Sequence, residues 1–306
     1  MQGFMIVLGI ILLLVLLSNI ENKRLVTSKY TIVSDKLPKD FHNTRFVLLA
    51  DLHNNSFGKQ NARLIRKIKE INPEFIITAG DMINKRESCC PSNGYSLMKQ
   101  LSKHYTVYYS LGNHEQRMKQ LWELQNTSDT EESVISTWVE YINELSNLGI
   151  ILLDNQSTYI NRKNGKLRIT GLSIEPKYFE HNKSPEMPVE YVESLIGKRT
   201  DKEFQILVAH NPIYFQTYAA WGADLTLSGH LHGGMVRLPG VGGLVSPQVQ
   251  LFPKYHSGNH TEEGQHLIVS RGLGSHSIMP RLFNIPEIVV VTLQCEGERS
   301  LYEHSC

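Results

Sequence analysis

Five short, strand-like segments in this 306-residue chain, most of them strongly apolar, break off, each within three residues, at an Asp, Asn or His. They are Phe46–Ala50 before Asp51, Phe75–Ala79 before Gly80-Asp81, Val107–Leu111 before Gly112-Asn113-His114, Phe204–Ala209 before His210, and Asp224–Leu227 before Ser228-Gly229-His230. Largely apolar runs of this length are expected of strands buried on both faces. Whatever follows such a strand emerges at a sheet edge, where α/β folds place their sites. The spacing therefore predicts a layered domain with one chemically marked edge.

The segments between the runs support that class. Gln60–Ile71 carries Leu64, Ile65, Ile68 and Ile71 at the three-and-four spacing of an amphipathic helix, and Asn72-Pro73 predicts its end. A polar, largely helical stretch is expected from Glu115 to about Leu148, with a break over Asn126–Glu132. Further strands are expected at Leu167–Leu172, His266–Ser270 and Glu287–Leu293. Many short strands with interleaved helices predict an α/β sandwich whose sheets lie between helices. Gly229–Gly243 is glycine-rich, which suits a loop that approaches a ligand closely.

The polar groups at the strand ends are of one chemical kind. In chain order they read Asp51-x-His53, Gly80-Asp81-x-x-Asn84, Gly112-Asn113-His114-Glu115, His210, and Gly229-His230-x-His232. Carboxylate oxygen, amide oxygen and imidazole nitrogen are ligands for Mn, Fe, Zn and similar divalent ions. Seven such ligands (Asp51, His53, Asp81, Asn113, His210, His230 and His232) exceed what one ion usually takes. They suit a pair of ions about 3.5–4 Å apart sharing a carboxylate, an arrangement that clamps and hydrolyses phosphoryl groups. Taken alone, any one of these histidines is more often an ordinary hydrogen-bonded residue than a ligand. The ordered set is what carries weight.

In this order the strings D-x-H, G-D-x-x-N, G-N-H-E, H and G-H-x-H resemble the calcineurin-like metallophosphoesterase superfamily, over roughly residues 44 to 293. The stretches 229–239 and 270–274 look like a narrower, membrane-anchored bacterial phosphodiesterase branch, similar to UDP-2,3-diacylglucosamine diphosphatase-type hydrolases. The resemblance implies a four-layered α/β/β/α sandwich. It implies that Asp51, His53 and His232 hold one divalent ion, that Asn113, His210 and His230 hold a second, and that Asp81 bridges them. His114 is implied to face the substrate, with Asn84 and Glu115 orienting the ligands. Glu115 stands where the family more usually has Asp. The implied reaction is hydrolysis of a phosphodiester or pyrophosphate by in-line attack of a metal-bridging hydroxide, with lipid-linked phosphoesters among the candidate substrates.

The amino terminus carries a separate message. Phe4–Leu17 is apolar apart from Gly9, and Ser18, Asn19 and Ile20 extend it before the first charge at Glu21. About 20 residues of this kind suffice to cross a bilayer as one helix. With no Lys or Arg before the run and no small-x-small site after it, a retained single-pass anchor is expected rather than a cleaved signal peptide. Lys23, Arg24 and Lys29 follow the span, which leans towards a cytoplasmic catalytic domain. The expected organisation is an anchor at 1–20, a juxtamembrane tether or first edge strand at 21–40, the catalytic domain at 41–295 and a tail at 296–306.

Composition narrows the alternatives. With 31 basic and 30 acidic residues the formal charge is +1, so no nucleic-acid partner is expected and a nuclease is the weaker alternative. A non-catalytic scaffold on the same fold would be expected to have lost ligands or to carry a large exposed apolar patch, and the sequence shows neither. Cys89, Cys90, Cys295 and Cys306 have no C-x-x-C spacing, and adjacent Cys89 and Cys90 are expected to be ordinary thiols.

Overall fold

Along Phe46–Leu49 successive side chains point to opposite faces, and both faces are buried. Phe46 and Leu48 pack with Phe75, Ile77 and Tyr108 against Leu167, Ile169, Ile206 and Val208 of a second sheet. Val47 and Leu49 pack with Ile76, Val107 and Tyr109 against helices. Each such Leu, Ile or Phe contributes about 1.5–3 kcal/mol on burial, so a one-residue slip would misplace two cores at once. That double burial is why these strands read as continuous apolar runs.

The computed structural model describes residues 2–84, 92–124, 132–180, 185–199, 203–234, 236–238, 240, 242–246, 251–275 and 281–296. In chain order its first elements are α1 (Gln2–Lys23), β1 (Val26–Ser34), β2 (Arg45–Leu49), α2 (Ala62–Ile71), β3 (Phe75–Ala79), α3 (Asn93–Leu101) and β4 (Thr106–Ser110). Next come α4 (Asn113–Glu123), α5 (Glu132–Asn147), β5 (Ile151–Leu153), β6 (Ser157–Arg162), β7 (Gly165–Leu172), α6 (Val189–Ile196) and β8 (Phe204–Ala209). The last are α7 (Phe215–Trp221), β9 (Leu225–Ser228), β10 (Val236–Leu238), β11 (Gly242–Val245), β12 (Gly258–Glu262), β13 (Gln265–Val269) and β14 (Glu287–Cys295).

Two six-stranded sheets result, ordered β1-β14-β2-β3-β4-β5 and β12-β13-β9-β8-β7-β6, with β10-β11 as a separate ribbon. Helices α2, α3 and α5 cover the outer face of the first sheet through Leu64, Ile68, Leu97, Leu101, Tyr141 and Leu145. On the outer face of the second sheet, Leu207 and Ala209 meet Val192, Ile196, Tyr218 and Trp221 of α6 and α7. The layers are α/β/β/α, as the family resemblance implied.

Residues 26–34 do not hang free as a tether. β1 pairs in parallel with β14 from Val26↔Glu287 to Ser34↔Cys295 and forms the sheet edge, the other reading open to this segment. Its β-branched and aromatic content (Val26, Thr27, Tyr30, Thr31, Ile32, Val33) suits a half-buried strand, and Ile32 reaches the inter-sheet core. α1 therefore leads almost directly into the domain. Helix α2 closes on a left-handed Asn72 at φ 50°, just before Pro73. Helices α4 and α5 flank the expected break at Asn126–Glu132, most of which lies outside the described residues, as do Cys89, Cys90 and Cys306. Cys295 is buried, and its thiol donates to the Leu37 carbonyl at 3.3 Å.

Candidate metal centre

β2, β3 and β4 are parallel and in register, with Leu49 opposite Thr78 and Ala79 opposite Ser110. They end side by side, so Asp51, Asp81 and Asn113 emerge at one edge. β8 and β9 of the facing sheet bring His210 and His230 to the same place. The backbone that aims these groups is unusual. Asp51, His53, Asp81, His230 and His232 all have positive φ, between 45° and 69°. A left-handed non-glycine residue costs about 1–2 kcal/mol. Five of them in one cluster point to a geometry kept for function rather than stability.

Two glycines give the carboxylates room. A Cβ on Gly112 would stand 2.2 Å from Asp81 Oδ1, and one on Gly229 2.4 Å from Asp51 Oδ2. The carboxylates lie directly against backbone, where no side chain fits.

The seven His and Asp groups singled out in the sequence are gathered. Asp51, His53 and His232 can direct one ligand atom each to a common point, as can His53, Asp81 and His114, and Asp81, His210 and His230. Asp81 Oδ2 lies 3.3 Å from His210 Nε2, 3.6 Å from His53 Nε2 and 4.0 Å from His114 Nε2. Asp51 Oδ1 is 3.5 Å from His232 Nε2 and 3.8 Å from both His53 Nε2 and His210 Nε2. All these residues are buried. His114 keeps 9% of its side chain open, against none for His53 and His210, and so lies on the accessible side.

The far nitrogens fix the tautomers. Nδ1 of His210 donates to the Ala79 carbonyl at 2.5 Å, and Nδ1 of His232 to the Gly274 carbonyl at 3.0 Å. Asn84 gives its Nδ2 to the His53 carbonyl, which leaves its Oδ1 to accept from His53 Nδ1 at 3.2 Å. Each neutral imidazole is thereby left with its Nε2 lone pair facing inward, the orientation found in metal-binding histidines. Nε2 of His53 and Nε2 of His232 are only 3.1 Å apart. Two lone pairs at that distance repel unless a proton or a cation lies between them.

One further atom tests whether the site fits metal. Asn113 Oδ1 is buried and finds no hydrogen-bond partner among the described residues. A buried acceptor left in this state costs about 1–3 kcal/mol, a cost that coordination to a cation removes. The donor set is oxygen and imidazole nitrogen, suited to Mn, Fe or Zn. The residues fit.

Several groups support the candidate ligands from behind. Glu115 is fully buried at the first turn of α4 and accepts from the backbone N–H of Asp81 (2.9 Å), Met82 (2.8 Å) and Gly112 (3.1 Å), and from the Tyr109 hydroxyl (2.8 Å). It thus ties the β3 and β4 loops together. The His114 N–H donates to Asp81 Oδ1 at 2.9 Å, and the His230 N–H donates to both Asp51 oxygens at 3.1 Å. Arg281 is buried and donates to the carbonyls of Gly274, Arg271 and Asn284. Gly274 O thus takes hydrogen bonds from both Arg281 and His232. Asn284 Nδ2 in turn donates to the His232 carbonyl at 2.6 Å. Phe179 packs edge-on to His230, with ring centroids 5.2 Å apart. No motif marks Arg281, Asn284 or Phe179.

The electrostatics of the metal-free protein follow from burial and crowding. Burial, opposed by His210 and reinforced by Asp81, raises the Asp51 carboxyl to about 7. Burial also works to raise Asp81, but the surrounding histidines, His210 foremost, hold it well below the usual carboxylate range. Burial pulls His210 down, yet Asp81 and Asp51 overcome it and lift the imidazole to about 9. A cation needs Asp51 ionised and His210 neutral, so it competes with protons at both. Metal uptake by metal-free protein is expected to strengthen as pH rises from about 7 to about 9, with protons released on binding. Titration calorimetry in buffers of different ionisation enthalpy checks this, and uptake independent of pH across that window would contradict it.

A cage of buried carboxylates and inward-facing imidazoles at the shared edge of an α/β/β/α sandwich defines a metallophosphoesterase. Residues 44–234, more than half the chain, match the calcineurin-like phosphoesterase family, and the chain belongs to it. It is a metal-dependent phosphoester hydrolase. It is 24% identical over 283 residues to a Bacillus subtilis protein described as an uncharacterized metallophosphoesterase, YkuE, covering 90% of this chain and 87% of that one. It is also 24% identical to the UDP-2,3-diacylglucosamine pyrophosphatase LpxG of Chlamydia muridarum, over 90% of each chain. A Danio rerio transmembrane protein with a metallophosphoesterase domain is 25% identical over 85% of this chain, which spans 55% of that longer protein.

Proposed function

We propose that the chain is a membrane-anchored, two-metal phosphoesterase that hydrolyses a phosphodiester or pyrophosphate, with lipid-linked phosphates as its substrate class. The observation that carries this reading is the inward Nε2 set by the carbonyls behind His210 and His232, beside the partnerless Asn113 Oδ1. Asp51, His53 and His232 would hold one ion and Asn113, His210 and His230 the other, with Asp81 available to both. Bound divalent ions supply the activation of water and the neutralisation of phosphoryl charge. The protein does the rest. Gly112 and Gly229 let the carboxylates seat against backbone, and Glu115 and Asn84 hold the ligating loops. His114, on the open side, meets the substrate and gives a proton to the departing oxygen.

The likeness to a pyrophosphatase named for a diacylated glucosamine nucleotide supports the lipid-linked class. So does α1, whose 22 residues are long and apolar enough to cross a membrane and are almost wholly exposed. Lys23 and Arg24, immediately after the span, favour a cytoplasmic catalytic domain.

The test is a substrate panel on Mn-loaded full-length protein in detergent, spanning nucleotide-lipid pyrophosphates, phospholipids, p-nitrophenyl phosphate and bis(p-nitrophenyl) phosphate. Hydrolysis of bis(p-nitrophenyl) phosphate that stops on chelation and returns with metal is expected, with the highest kcat/KM on a lipid-linked pyrophosphate. Metal-replete protein that leaves every phosphoester intact would sink the proposal.

A further inference from the structure

Outside α1, the exposed large apolar side chains among the described residues are Trp122, Leu124, Val139, Tyr159, Leu238, Leu251, Phe252 and Phe283. Half of them sit on one small piece of structure. Val236 of β10 pairs with Val245 of β11, Val236 bridges to Leu282 on one side, and Val245 bridges to Leu251 on the other. This four-segment ribbon presents Leu238, Leu251, Phe252 and Phe283 within three strand spacings of about 4.8 Å. Phe283, Leu251 and Phe252 are 56%, 67% and 62% exposed. A soluble surface rarely gathers such residues without a partner.

The ribbon adjoins two other features. On one side it grows from the metal-site loop: Arg237 Nη1 donates to the Gly233 carbonyl at 2.9 Å, and Asn284, next to Phe283, donates to the His232 carbonyl. On the other it touches the end of α1, where Glu21 Oε2 accepts from the Asn284 N–H at 3.2 Å. Farther along α1, Ser18 is buried and Leu14 and Glu21 are half-buried, at the i, i+4, i+7 spacing of one helix face. The ribbon therefore meets α1 at the end that the anchor reading places at the bilayer boundary.

We propose that the Leu238–Leu251–Phe252–Phe283 ribbon inserts into the headgroup–acyl boundary of the bilayer that α1 crosses, so that the metal centre opens towards the lipid surface. The inference rests on the anchor reading of α1. Apolar interfacial elements sink roughly 5–10 Å into that boundary, a depth within reach of side chains on a ribbon that meets α1 at Glu21. Lys23 and Arg24 close α1 at the level where lysine and arginine reach headgroups. A lipid-linked phosphoester would then reach the site from the headgroup layer without leaving the membrane.

Nitroxide labelling of the full-length protein in phosphatidylcholine–phosphatidylglycerol vesicles tests this. Cys89, Cys90 and Cys306 are changed to Ser and the buried Cys295 is left in place. Single labels are set at Leu251→Cys and Phe283→Cys, at Leu12→Cys as a lipid reference and at Tyr159→Cys as a water reference. Each variant is required to keep the parent's metal content. Oxygen is expected to collide with the labels at 251, 283 and 12 in preference to a water-soluble nickel chelate, and the preference to reverse at 159. If 251 and 283 behave like 159 while 12 stays in lipid, the ribbon inference falls and the anchor stands. If 12 is also aqueous, the anchor reading has failed and takes the inference with it.

Discussion

Asp81→Asn is expected to leave a folded protein that holds less than its full metal complement and turns over at most ~10⁻³ as fast in kcat/KM, a loss of about 4 kcal/mol in transition-state stabilisation. The substitution keeps the side chain's shape, and the amide oxygen can still accept from the His114 N–H as Asp81 Oδ1 does. What it removes is the negative charge that stands within 3.3–4.0 Å of His210, His53 and His114. Fold and function should therefore separate. The melting temperature of the metal-free variant stays close to that of the metal-free parent, while metal content and activity fall together. An Asp81→Asn protein with full metal and undiminished kcat/KM would show that this carboxylate is not at the heart of the site.

His114→Ala is expected to behave differently. His114 keeps part of its ring accessible and has its Nε2 4.0 Å from Asp81 Oδ2, so it reaches outward from the cage. Its loss should leave the bound metal in place and lower kcat by ~10²–10⁴-fold, the range for removing a positioned proton donor. The leaving group gives the discriminating readout. p-Nitrophenolate departs without a proton, so the defect should be mild on bis(p-nitrophenyl) phosphate and large on an alkyl or pyrophosphate substrate. An equal loss on both would assign His114 to binding or to charge stabilisation instead.

The strands that carry the site were legible because both of their faces are buried, which leaves no alternation to confuse with a helix. The candidate ligands stood out because each lies at or just beyond the end of such a strand. Exposed and short elements were harder. β1 mixes Lys29 and Ser28 with its β-branched residues because one side of an edge strand faces water, so tether and strand read alike. The β12–β13 hairpin had a usable signal in Glu263-Gly264, both residues of which have positive φ, whereas the β6–β7 hairpin turns at Lys163-Asn164, with Gly165 already paired to Arg162. Of the groups behind the candidate ligands, Arg281, Asn284 and Phe179 were not legible at all. Arg281 acts through three carbonyls from residues 271, 274 and 284, and only the folded chain brings these together. Glu115 was placed by its string, but its grip on the Asp81 and Gly112 amides depends on two strands lying side by side.

The claim on which all of this depends is that two cations share the cage. Metal content of the purified, active full-length protein, measured by inductively coupled plasma mass spectrometry alongside protein concentration, tests it most directly. About two divalent ions per chain are expected, both falling in Asp81→Asn, by the logic of a shared carboxylate. A fully active enzyme that carries one ion or none per chain would contradict the account.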